Sequence, residues 1–78
     1  GVPQVEINED LGLIDALVLV KAASSKREAR DFIQGGGVLV NGVQEKSLDA
    51  VVSKEKAIGS TYTVISRGKK NYYVIKHN

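Results

Sequence analysis

The chain has 78 residues, no cysteine and a formal net charge of +2. This length is typical of one domain and leaves little volume for a deep catalytic cavity, and the lack of cysteine excludes disulfides, thiolate metal ligands and a cysteine nucleophile. No apolar run is long enough to span a bilayer, and no signal-peptide pattern is present at the start. Because residues 1–3 open the chain without Met, we expect an excised fragment or a processed end.

The charges are unevenly distributed along the chain. Residues 1–20 hold four acids and no Lys or Arg, a charge of −4, whereas residues 21–78 hold all eleven cations against five acids, a charge of +6. Such asymmetry favours a basic face that binds polyanions. The alternative is a solvated surface on which the charges happen to cluster.

The first residues, 1–9, are predicted to form an extended lead-in, either a linker or an edge strand, because Pro3 disfavours helix just before it. A single domain is predicted over residues 10–78. It begins with a helix from about Asp10 to Lys21, where apolar residues recur at helical spacing. Asp10 is the predicted N-cap, and Lys21 would complement the helix dipole at the other end.

A second helix is predicted from Lys26 to Gln34. Ser25 and Glu28 fit a capping box, in which the hydroxyl accepts from the amide of Glu28 and the carboxylate reaches back to the N-cap amide. The three glycines 35–37 should end this helix through a left-handed C-cap. They do not predict a phosphate-binding loop, because such a loop follows a strand and precedes a helix.

The remainder of the chain predicts a small sheet. Residues 38–40 form a strand that turns at Asn41-Gly42, a strong type I′ signal. Residues 60–66 and 71–77 are further strands, joined by a basic turn, whereas residues 47–58 fit either a short helix or a loop with one strand. The predicted fold class is therefore α+β, with two N-terminal helices packed on a small antiparallel or mixed β-sheet.

The second helix separates three kinds of side chain around its axis. Apolar and acidic side chains occupy two of the arcs, and the third arc is a basic stripe that consists of Lys26, Arg27, Arg30 and Gln34. The stripe starts at a helix N-terminus, where free amides and the Ser25 hydroxyl can add contacts to phosphates. The alternative is an ordinary amphipathic surface helix.

The predicted turn at residues 67–70 carries three cations, which repel one another unless a polyanion neutralises them. The alternative is a solubilising turn that protects a sheet edge. Tyr72 and Tyr73 are adjacent in a strand and point to opposite faces, so at most one is free to stack on a base. His77, the only histidine, is expected to fray near the chain end, and the acids show no metal-ligand spacing, so an active site is not predicted.

Residues 13–42 resemble the two-helix RNA-binding motif of the S-four type, named after a small-subunit ribosomal protein. The matching stretches are LIDAL at 13–17, SKREAR at 25–30, IQGG at 33–36 and VLVNG at 38–42. The stretches YTVI at 62–65 and RGKKNY at 67–72 look like the last strands of bacterial-type tyrosyl-tRNA synthetases. The chain is thus similar to the RNA-binding domain that ends those enzymes.

The resemblance implies a non-catalytic domain that binds tyrosine tRNA near its variable arm and anticodon stem. It implies a helix-and-turn contact surface of Ser25, Lys26, Arg27, Arg30, Asn41 and Lys46. It also implies a basic tip of Arg67, Lys69, Lys70 and Asn71. The basic stripe of the second helix adds Gln34 to these candidates. The flexible run of glycines at residues 35–37 departs from the family pattern and is expected to loosen the junction between helix and sheet. Residues 43–58 match the family poorly.

The resemblance also sets expectations for the parent enzyme. A catalytic domain absent from this chain would aminoacylate the tRNA, ATP is expected only there, and this chain needs no cofactor. The parent is expected to be a homodimer and the isolated domain a monomer, without membrane association, in the cytoplasm or, for a fungal relative, the mitochondrion. The alternatives are an S-four-type domain for ribosomal or other structured RNA, and a protein–protein docking module, which would expose an apolar patch.

Overall fold

The computed structural model describes residues 3–78. It contains two helices and two sheets. In chain order, the elements are β1 (Gln4–Ile7), β2 (Leu11–Gly12), α1 (Leu13–Leu19), α2 (Lys26–Gln34), β3 (Val38–Val40), β4 (Val43–Gln44), β5 (Val51–Val52), β6 (Tyr62–Arg67) and β7 (Asn71–His77). The main sheet has five strands in the order β1-β7-β6-β3-β4.

The first helix begins later than its sequence predicts. Gly12 is the residue before the helix, and the predicted N-cap Asp10 instead accepts a hydrogen bond from the amide of Lys54 at 3.0 Å. The physical reason is the pairing of β2 with β5, which holds the backbone just before Leu13 in an extended conformation. Lys21 lies beyond the last turn with φ +65°, so its predicted place within the helix is also wrong.

The second helix has the predicted bounds and the predicted cap. The Ser25 hydroxyl accepts from the Glu28 amide at 3.1 Å. The Glu28 carboxylate, however, accepts from the amide and the hydroxyl of Ser24, at 3.0 and 3.2 Å, one residue before the predicted partner. The Ser25 contact satisfies the Glu28 amide, which the start of a helix would otherwise leave free, and the Ser24 contacts hold the residue before the N-cap.

The glycine junction after α2 is held by hydrogen bonds. Gly36 takes φ +79°, and the amides of Gly36 and Gly37 donate to the carbonyls of Ile33 and Phe32, which is the Schellman arrangement. The Gly36 carbonyl accepts from Gln44 Nε2 at 2.9 Å, and the Gly37 carbonyl accepts from the amide of Gly68 at 3.0 Å. Four hydrogen bonds therefore hold the junction that the glycines are expected to loosen.

The five-stranded sheet is mixed. β1 pairs in parallel with β7, so part of the predicted lead-in forms an edge strand, and the other pairs are antiparallel. Asn41 and Gly42, at φ +51° and +84°, join β3 to β4 as the predicted two-residue turn. Residues 47–58 form turns and the short strand β5, which agrees with the loop alternative.

The helices pack on one face of this sheet. Buried apolar residues of α1 and α2 share one hydrophobic core with Val38 of β3, Ile65 of β6 and Ile75 of β7. His77 is also buried, with 5% of its surface exposed, and its Nε2 lies 2.7 Å from Thr63 Oγ1. The prediction that His77 frays is wrong, because β7 continues through it and its amide donates to the Thr61 carbonyl at 2.7 Å.

Candidate nucleic-acid interface

The predicted basic stripe of α2 is an exposed surface. Its side chains project from the helix away from the core residues Ala29 and Ile33. All of the predicted contact residues on this helix are exposed, namely Ser25, Lys26, Arg27, Arg30 and Gln34. An anion at the helix N-terminus would meet these cations together with the positive end of the helix dipole.

Lys26 differs from the other cations of the stripe because it has an acidic partner. Its Nζ lies 3.4 Å from Asp15 Oδ1 of α1, and both side chains are largely exposed. Such an exposed pair contributes about 0–1 kcal/mol and is screened by salt. A phosphate can therefore compete for Lys26 at small cost.

The second predicted basic element is the turn between β6 and β7. Lys69, Lys70 and Asn71 are exposed, whereas Arg67 is half-buried. The guanidinium carbon of Arg67 lies 4.8 Å from the centroid of the Phe32 ring, and the buried Arg67 Nε has no hydrogen-bond partner within residues 3–78. Arg67 therefore packs the turn against α2, while the two lysines are the cations that a ligand can reach.

Lys46 and the basic turn between β6 and β7 both lie at the C-terminal end of α2. The amide of Gly68 in the basic turn bonds to Gly37, and a Cβ placed on Gly36 would lie 3.3 Å from Lys46 Cε. The last turn of α2 contains no cation of its own. Lys46 therefore lies beside the negative end of the helix dipole, where a positive charge is favourable.

Asn41 has a structural role in addition to its turn conformation. Its side-chain Oδ1 accepts from the backbone amide of Val64 at 2.8 Å, and its backbone amide donates to the Val64 carbonyl at 2.8 Å. Its Nδ2 is 3.4 Å from the Lys56 carbonyl. The side chain thus extends the pairing between β3 and β6 and links the turn to the loop after β5.

This arrangement is similar to known proteins across almost the whole chain. The family model for the tyrosine–tRNA ligase SYY-like C-terminal domain matches residues 1–75. The chain belongs to this family. It is 42% identical to the tyrosine–tRNA ligase of Mycoplasma capricolum over 75 residues and 44% identical to ligase 1 of Bacillus cereus over 77 residues. It spans 18% of the length of each ligase, and 96% and 97% of the chain is covered.

A solved structure agrees with the fold of this synthetase C-terminal domain. The solution structure of a tyrosyl-tRNA synthetase C-terminal domain superposes with a TM-score of 0.81 at 38% identity and covers 99% of this chain and 79% of that chain. The predicted α+β fold and the family resemblance are confirmed.

The structure of the synthetase domain shows which of Tyr72 and Tyr73 has an exposed ring, a choice that the sequence leaves open. Tyr73 packs against the core, whereas 49% of the Tyr72 surface is exposed. Tyr62, the third tyrosine, is 41% exposed on the same sheet face. Alternation within each strand does not relate the faces of Tyr62 and Tyr72, because they lie in different strands; the register between β6 and β7 places both on one face.

Two further features are absent from residues 3–78 of the synthetase domain. No group of three or more His, Asp or Glu side chains there could hold a metal ion. None of the helices in that range is long and apolar enough to cross a membrane. The contact between the Thr63 hydroxyl and His77 Nε2 is internal to the domain, because both residues are buried.

Proposed function

We propose that this domain binds tyrosine tRNA in the region of the variable arm and anticodon stem, and that it places the tRNA for aminoacylation by a catalytic domain elsewhere in the ligase. The observation that carries the proposal is the exposed basic stripe that begins at the Ser25-capped N-terminus of α2. Family membership supports the same conclusion.

Phosphates are the groups that this surface fits. Arg27 and Arg30 can each present a planar fork of donors to phosphate oxygens, whereas Lys69 and Lys70 act as point charges. Paired RNA hides its base edges in a deep, narrow groove, so selectivity comes from the shape of the tRNA. Arg67 and Asn41 are proposed to position this surface, because their side chains are held by Phe32 and Val64.

The proposal also locates the remaining chemistry of the ligase outside this domain. ATP and tyrosine would bind in the catalytic domain, and this domain would act without a cofactor. The ligase would be a homodimer that works in the cytoplasm, and the 78-residue chain alone would be a monomer. Loss of tRNA binding would then reduce aminoacylation and leave tyrosine activation intact.

The test is a titration of the chain with tyrosine tRNA, with and without the variable arm, at two salt concentrations. If about four or five cations contact phosphates, log Kd should rise with log salt with a slope of about 3 to 4.5. The double variant Lys26→Ala/Arg30→Ala should weaken binding and flatten that slope. Lys56→Ala, which removes an exposed cation outside the stripe, is the matched control and should change neither.

The outcomes separate the alternatives. Binding that falls when the variable arm is removed supports the proposal. Equal binding to any structured RNA leaves a general RNA-binding domain, and the absence of binding at low salt contradicts the proposal in favour of a protein-docking role.

A further inference from the structure

The sheet has a second face, which the helices do not cover. Direct cross-strand partners share a face, so the pairs Ser66–Tyr72, Val64–Val74 and Tyr62–Lys76 project together. The alternate residues of β6 and β7, such as Ile65 and Ile75, lie in the core. We call the six paired residues the outer face; its apolar members Val64 and Val74 do not belong to the core cluster of residues 3–78.

Two aromatic rings stand at opposite ends of this outer face. Tyr72 is 49% exposed and Tyr62 is 41% exposed. Tyr62 lies four positions along β6 from Ser66, the partner of Tyr72, which corresponds to about 13 Å along the strands. Each ring therefore offers a separate platform.

The surroundings of the two rings differ in charge. Tyr72 follows the basic turn and lies two residues from Lys70 and three from Lys69, both of which are exposed. Tyr62 pairs with Lys76, but Lys76 also pairs with Glu6 of β1, so the cation has an acidic neighbour in the sheet. An anionic strand would therefore be attracted to the Tyr72 end.

We propose that Tyr72, Lys69 and Lys70 form a site for an unpaired nucleotide, whose base stacks on the Tyr72 ring while the lysines contact the flanking phosphates. Stacking needs a free base face, so the ligand is a single-stranded or looped nucleotide of the bound RNA. This proposal rests on the proposed function and adds a base-contacting site on the sheet to the phosphate-contacting surface of α2.

The experiment uses two probes with the 78-residue chain. One is a short single-stranded RNA that contains 2-aminopurine, whose fluorescence falls when it stacks on an aromatic ring; the other is tyrosine tRNA. The variants are Tyr72→Ala, Tyr72→Phe and Tyr62→Ala, and Tyr62→Ala is the matched control because it removes a similarly exposed ring from the same face. Circular dichroism checks that each variant is folded.

Tyr72→Ala should abolish the fluorescence change and weaken single-strand binding by about 5- to 100-fold, at both low and high salt, because a stacked base does not depend on counterion release. Tyr72→Phe keeps the ring and should bind like the unchanged chain, as should Tyr62→Ala. Lys69→Ala/Lys70→Ala should weaken binding mainly at low salt.

Two results would overturn the inference: unchanged fluorescence on adding the chain, or equal losses for Tyr72→Ala and Tyr62→Ala. If tRNA binding still depends on Lys26 and Arg30 in that case, the proposed function stands without the nucleotide site. If tRNA does not bind at all, the proposed function itself fails.

Discussion

Arg67 and Phe32 form a cation–π contact that joins the basic turn to α2, with 4.8 Å between the guanidinium carbon and the ring centroid. Helical spacing puts Phe32 on the apolar side of α2, and the family resemblance implies that Arg67 belongs to the RNA-contacting tip. In the folded domain the two assignments are linked, because the half-buried ring is the surface on which the arginine rests. The turn that carries Lys69 and Lys70 thereby has a fixed place relative to the helix.

A double-mutant cycle should detect this contact. Phe32→Leu and Arg67→Gln are each expected to lower the free energy of unfolding, and their coupling should be about 0.5–2 kcal/mol. Urea denaturation of the two single variants and the double variant measures it. Lys70→Gln, an exposed cation of the same turn, should change stability by less than about 0.5 kcal/mol. A coupling free energy near zero would mean that Phe32 does not hold Arg67, which would leave the guanidinium available to contact RNA phosphates.

Replacing Gly36 with alanine should destabilise the domain more than the same change at Gly42. Both positions have positive φ, so each alanine costs about 1–2 kcal/mol of backbone strain. At Gly36 the new Cβ would also lie 2.7 Å from Gln44 Nε2 and displace that donor from the Gly36 carbonyl, whereas nothing lies within 4 Å at Gly42. The extra cost should be about 1 kcal/mol, and thermal or urea unfolding of the two variants would show it.

Both ends of α2 and the turn after β3 were predictable from sequence, because their signals are local. Ser25, the glycines and the Asn41-Gly42 pair each act within a few residues, so the cap, the helix end and the turn follow from neighbours in the chain. The start of α1 was not predictable, since it depends on the pairing of Leu11 with Val52. For the candidate site, the exposed stripe followed from helical periodicity, but the Arg67–Phe32 contact needed the tertiary fold.

Removing the hydroxyl partner of His77 should be costly. Thr63→Val keeps the side-chain volume but leaves the buried His77 Nε2 without its partner 2.7 Å away. The expected loss is about 1–3 kcal/mol in the free energy of unfolding. Thr61→Val is the control, because the Thr61 hydroxyl donates to the Gly59 carbonyl at the surface. Equal effects of the two changes would show that the buried pair contributes nothing specific.

Variants of Asn41 can show whether this residue stabilises the fold, contacts the RNA, or does both. Asn41→Gly permits the positive φ but removes the acceptor of the Val64 amide, so we expect a loss of about 1–3 kcal/mol in stability. Asn41→Ala should lose more, because it adds backbone strain. At a temperature where Asn41→Gly is folded, tRNA affinity and its salt dependence should match the unchanged chain. Weaker binding by the folded variant would instead make Asn41 a direct contact.

The parallel pairing of β1 with β7 also bears on how the domain folds. Gln4 pairs with Val74, and nearly the whole chain lies between them, whereas α2 and the two hairpins close over short distances. Closing a long loop costs more entropy than closing a short one, so non-local contacts tend to form late. We therefore expect the helices, the turn at Asn41-Gly42 and the basic hairpin to assemble first, and β1 to join a sheet that already presents the proposed RNA-binding elements.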